Sequence, residues 1–253
     1  MFEGATTTLL APAYTRNGQT TYLVDLATTL PDSVQVGRGR IPLFFRQRVL
    51  PGQKEVVQAG NIQIRFNAES LFDTLYLSTR TLLDNTLEIN QYTIPINDHI
   101  DVRYTPLRPV AVDTMRTKMY ALSGGRQRFL GGNWANGRIE FRTRELGRFG
   151  LLTDVTPPDI RNVSATPGGI TARISDDLSG IDQFRVFVGG VWTLMQYDYK
   201  RALIWSDKLD ATTLFEPGTE VRLQVRDRTG NVAELTTAIA TPPAPRPARR
   251  KRR

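Results

Sequence analysis

The chain has 253 residues, 40% of them hydrophobic, enough for one large domain or two ordinary ones and too apolar for a mainly disordered protein. It contains no cysteine and one histidine, His99, which excludes disulfides, thiolate metal sites and any zinc centre built on two imidazoles. The formal charge is +8, but Arg246, Arg249, Arg250, Lys251, Arg252 and Arg253 supply six of those charges, so the first 245 residues carry only about +2, ordinary for a folded chain.

Residues 1–14 have no basic n-region and only a short apolar patch, so no secretory leader is predicted. No apolar run approaches the roughly 18 residues of a membrane-spanning helix. Residues 1–52 offer two strands, Thr21–Leu26 and Ile41–Arg46, too few for a core of their own. They are expected either to add strands to the module that follows or to be the remnant of a preceding one. Residues 53–154 read as a β-sandwich module. Ile62, Ile64 and Phe66 alternate with Gln63 and Arg65, and Ile139 and Phe141 alternate with Arg138, Glu140 and Arg142. A period of two gives each strand one buried and one wet face. The segment Asp113–Leu122 reads as a helix or equally as a strand running into a hairpin at Gly124-Gly125.

The run Asp154-Val155-Thr156-Pro157-Pro158 marks a boundary, because two prolines remove two donors and stiffen the backbone. Residues 155–240 then fit an immunoglobulin-like or fibronectin type III-like sandwich. Its strands are predicted at Ile170–Ile174, Phe184–Val188, Trp192–Met195, Ala202–Trp205, Val221–Val225 and Val232–Thr236. Asp227–Asn231 is a turn. Residues 241–253, TPPAPRPARRKRR, cannot bury apolar surface and are expected to be disordered. The fold class is therefore all-β: tandem antiparallel β-sandwich modules, the second immunoglobulin/fibronectin type III-like, with a disordered basic C-terminal tail.

The candidate sites are few. His99 lies between Asp98 and Asp101, but one imidazole and two carboxylates need distant help to hold a metal. The simpler expectation is a half-exposed strand start, and no catalytic residue is assigned. Asp176, Asp177 and Asp182 surround DLSG, and Asp227 lies in DRTGN; carboxylates beside glycine turns suit calcium, and equally suit plain turns. Trp134, in GGNWANG, is either a flat platform for a glycan or a cap on the core. Trp192 and Trp205 sit in strand patterns and are expected in the core. Asn162-Val163-Ser164 matches a glycosylation acceptor, a short and weak motif that matters only if the source glycosylates such sites. Arg249, Arg250, Lys251, Arg252 and Arg253 are candidates for binding a polyanion by charge neutralisation, or a solubilising end.

The succession TYLVDLATTLPDSV, GNIQIRFNAESLFDTLYLS, GRFGLLTDVTPPDI, ISDDLSGIDQFRVFVGGVWTLMQYDYKR and VRDRTGNVAEL spans roughly residues 20–240. It resembles the C-terminal, non-catalytic β-region of exported Gram-negative proteins that carry a lysostaphin-like zinc peptidase domain acting on peptidoglycan crosslinks. The zinc-binding His-x-x-x-Asp and His-x-His motifs of that family are missing from this chain, so no catalytic role transfers to any position. The resemblance implies a non-catalytic accessory region that spaces or docks a peptidase at the cell envelope. It implies an extracytoplasmic location, no cofactor, and partners in a peptidase domain outside this chain and in envelope glycan. The alternative is a stand-alone surface adhesin or carbohydrate-binding protein. A nucleic-acid or virion-associated role through the arginine tail is the less favoured third reading.

Overall fold

Asn17 and Gly18 both take positive φ (52° and 74°), the backbone of a two-residue turn that matches strand twist. They close the hairpin of β1 (Pro12–Arg16) and β2 (Gln19–Tyr22). A second hairpin joins β3 (Ser33–Val36) to β4 (Gly39–Pro42). Among the described residues each of these hairpins pairs only with itself. The computed structural model describes residues 7–27, 29–108, 113–207 and 214–241, and every regular element among them is a strand in an antiparallel ladder. Among the described residues no helix is long and apolar enough to cross a membrane. The basic tail, Arg249, Arg250, Lys251, Arg252 and Arg253 included, lies outside them.

The strand β5 (Phe45–Val49) pairs with β8 (Leu75–Thr81), so the last part of the N-terminal segment belongs to the first sandwich. That sandwich continues with β6 (Glu55–Ala59), β7 (Ile62–Phe66), β9 (Leu87–Ile89), β10 (Ile100–Tyr104) and β11 (Thr117–Ser123). It closes with β12 (Arg126–Gly131), β13 (Asn133–Ala135), β14 (Arg138–Thr143) and β15 (Gly147–Thr153). One sheet runs β13-β14-β10-β7-β6 and the other β12-β11-β15-β9-β8-β5. The alternating apolar residues face inward: Ile62, Ile64 and Phe66 of β7, Ile139 and Phe141 of β14, and Met119 and Ala121 of β11 share one core. The segment 113–122 is thus strand rather than helix from Thr117 on.

The second sandwich contains β16 (Asp159–Thr166), β17 (Gly169–Ser175), β18 (Ile181–Val188) and β19 (Val191–Thr193). It ends with β20 (Met195–Asp198), β21 (Leu203–Ser206), β22 (Glu220–Asp227) and β23 (Val232–Ala238). Its sheets run β16-β17-β21-β20 and β19-β18-β22-β23. With the strands lettered in order, these are the A-B-E-D and C′-C-F-G sheets of an immunoglobulin-type fold. Ile170, Ala172, Ile174, Ile204, Val221, Leu223 and Val225 fill its core.

Trp192 and Trp205 correct the sequence reading: they are 58% and 38% exposed, not core. Val186 faces inward, so its neighbour Phe187, and Trp192 opposite it, point out of one sheet. Trp205 pairs with Thr171, between inward Ile170 and Ala172, and so points out of the other sheet. The two rings therefore occupy opposite outer faces.

Candidate functional site

The strand β11 carries apolar side chains on both faces, because Tyr120 points away from Met119 and Ala121 and yet has no solvent exposure. Tyr120 packs edge-on against Phe129 of β12, with ring centroids 5.4 Å apart. Over Phe129, at 5.6 Å from the ring centroid, sits the guanidinium of Arg228, from the turn after β22. The second module therefore touches the outer face of a first-module sheet through its DRTGN turn.

Asp154, the residue after β15, is the hub of this junction and is 2% exposed. Its N–H donates to Arg116 O (3.1 Å), continuing the first sandwich. Its carbonyl accepts from Asn231 Nδ2 at 3.0 Å, with the Thr229 hydroxyl 3.5 Å away. Its carboxylate accepts the Ser179 N–H at 3.1 Å on one oxygen and the Thr156 N–H at 3.1 Å on the other. The expected linker thus begins with a buried residue bonded to both modules.

Two further carboxylates converge there. Asp227, 1% exposed, organises its own turn by accepting the N–H groups of Thr229 (2.8 Å) and Asn231 (2.9 Å), the Thr229 hydroxyl (3.0 Å) and Asn231 Nδ2 (2.7 Å). Asp176, half-buried between β17 and β18, accepts Gly180 N–H at 2.6 Å and Leu178 N–H at 3.2 Å through Oδ2. One oxygen from each of Asp154, Asp176 and Asp227 lies within 4.8 Å of the others. Burial, with the charges of Asp154 and Asp227 adding to it, pushes the Asp176 carboxyl above its usual range, against the hydrogen bonds from Gly180 and Leu178. Burial also raises the Tyr120 phenol, and the same three carboxylates raise it further. Its hydroxyl has no hydrogen-bond partner among the described residues.

The predicted calcium residues divide. Asp176 and Asp227 belong to this cluster. Asp177 is exposed outside it, and Asp182 is paired with Arg226 Nη2 at 2.8 Å. Asp154 and Tyr120 escaped sequence reading, although a signal existed for each. The apolar run Met119-Tyr120-Ala121-Leu122 marks a strand covered on both faces, and Asp154 ends an apolar strand before a stiff proline pair.

The other candidates lie elsewhere. His99 is half-buried, with Nδ1 2.9 Å from Asp98 Oδ2, while Asp98 also meets Arg144 and Asp101 pairs with Arg142 at 2.8 Å. Hydrogen bonds from the His99 backbone and ring hold the Asp98 carboxyl well below its usual range. The Trp134 ring packs on the first core and donates its indole N–H to Thr117 O at 2.7 Å, which leaves no donor for a sugar. Asn162 sits at an irregularity in β16 with φ 50°.

Residues 47–154 match the family model of the Zu5-like domain, less than half of the chain. The matched stretch starts inside β5, ends on Asp154 and encloses the whole first core. No curated protein matches the chain.

Proposed function

We propose that the two sandwiches form a non-catalytic accessory region that spaces or docks a lysostaphin-like peptidoglycan peptidase at the cell envelope. One observation carries this reading: the modules are tied by a buried polar junction on Asp154 and not by a bare linker. A docking region must transmit orientation, and a junction bonded to both sides does so where a free proline linker would not. The His-x-x-x-Asp and His-x-His motifs of that peptidase family are missing from the chain, so on this reading the chemistry belongs to another domain.

The test begins with the coding sequence joined to this chain. It should encode a peptidase domain bearing His-x-x-x-Asp and His-x-His in frame. Deleting residues 7–241 from that protein should then slow cleavage of intact sacculi while sparing a soluble crosslinked peptide. An unrelated or closed reading frame, or equal loss on both substrates, contradicts the proposal.

A carbohydrate-binding role is favoured by a different observation, the exposed rings of Trp192 and Trp205. Flat aromatic faces suit sugars. Because the two lie on opposite faces, this reading requires one of the single substitutions Trp192→Ala and Trp205→Ala to abolish sacculus binding and the other to leave it intact.

A further inference from the structure

We propose that Asp154, Asp176 and Asp227 bind one calcium ion at the junction between the two sandwiches, with the Tyr120 hydroxyl directed at a water in its coordination shell. This inference does not depend on what the modules serve.

The donor set is the first reason. Three carboxylates with no nitrogen or sulfur partner select a hard cation. Oxygens on a single calcium, bound at about 2.3–2.6 Å, lie at most about 5 Å apart, and these three lie within 4.8 Å of one another. Magnesium holds its water more tightly and usually takes one or two carboxylates, so three acids converging from separate segments suit calcium better. Asp176 is only half-buried, which leaves solvent access for the ion and for the waters that complete its shell.

Charge is the second reason. Among the described residues no Lys, Arg or His forms an ion pair with any of the three. The guanidinium of Arg228, the nearest candidate by sequence, is engaged over Phe129 instead. Turn N–H groups satisfy some lone pairs, but Asp176 Oδ1 accepts no hydrogen bond from any described residue. Like carboxylates in a partly buried site repel one another unless a cation joins them.

The third observation is independent of the acids. The Tyr120 hydroxyl is fully buried and has no hydrogen-bond partner among the described residues, on the face of β11 that meets the second module. Native structures seldom leave such a donor without a role. The charges it senses are those of Asp154, Asp176 and Asp227. A metal-bound water would give it an acceptor.

The three ligands come from the end of β15, the β17–β18 loop and the end of β22. A bound ion would therefore fasten the second module to the last residue of the first.

Isothermal titration calorimetry of the chelator-treated full chain with calcium chloride tests the proposal, with a parallel thermal melt. One ion per chain is expected, with a Kd of about 10⁻⁴ to 10⁻³ M, the weak end of protein calcium sites and suited to a site with three carboxylates, and a Tm that rises with calcium. Asp227 also holds its turn together, so Asp176→Asn is the variant of choice; its amide oxygen can still accept the loop N–H groups. That variant should weaken binding about tenfold or more, since affinity follows ligand charge, while Asp177→Asn should bind as the parent does. Tyr120→Phe should bind more weakly and melt no lower than the parent in chelator. Absence of both heat and Tm shift at about ten times that concentration, unchanged affinity in Asp176→Asn, or equal losses in the two Asp variants overturns it. Magnesium binding as tightly as calcium overturns the choice of ion.

Discussion

At the scale of single residues, the junction explains why one acid titrates out of its usual range. Burial, helped by Asp154 and Asp227, raises the Asp176 carboxyl above 3.8 in the folded protein. The folded state then holds that proton more tightly than the unfolded chain does. Its contribution to stability is complete below the unfolded value and is lost as pH rises through the raised folded value. In chelator, Asp176→Asn should therefore be more stable than the parent at pH 7, and the advantage should shrink as pH falls towards about 4. Chemical denaturation at the two pH values checks this, and an advantage independent of pH contradicts it. Sequence showed Asp176 and Asp227 as acids beside glycine turns, because short polar residues at turns announce themselves. It did not show that Asp154 would join them, since that depends on how two modules meet.

At the scale of elements, the legible strands were those whose alternation is unbroken. Ile62–Phe66, Arg138–Thr143 and Glu220–Asp227 carry their buried residues at every second position. The strand β16 was missed because its pairing shifts between Arg161 and Ser164, with Asn162 in the left-handed region, so its apolar residues fall out of step. Trp192 and Trp205 were misplaced for a related reason. Alternation gives two faces, and composition alone suggested that large rings take the inner one. Asparagine tolerates positive φ better than a β-branched residue does. Asn162→Ile should therefore cost about 1–2 kcal/mol in urea denaturation, whereas Asn162→Gly should be close to neutral. Equal stability of the isoleucine variant and the parent would show that the bulge does not constrain β16.

At the scale of the whole molecule, the all-β class was readable from sequence, because turn chemistry and a period of two are local. The N-terminal segment was only partly readable. Its last strand completes a sheet of the first sandwich through pairing with β8, some thirty residues on, and such long-range pairing leaves no local mark. The coupling between modules was hidden for the same reason. It runs through Asp154, through Arg228 over Phe129, and through a tyrosine buried on what would otherwise be an outer face. That coupling is what makes a spacing or docking role physically reasonable, since two freely swivelling sandwiches would carry no orientation.

The direct measurement is an inter-module distance distribution from paired spin labels. The chain has no cysteine, so Glu69→Cys and Lys200→Cys, both at exposed positions, give one label on each module. A single narrow distribution is predicted for this pair, broadening when Asp154→Ala is added. A broad distribution in the parent, unchanged by Asp154→Ala, would mean that the junction does not hold the modules together.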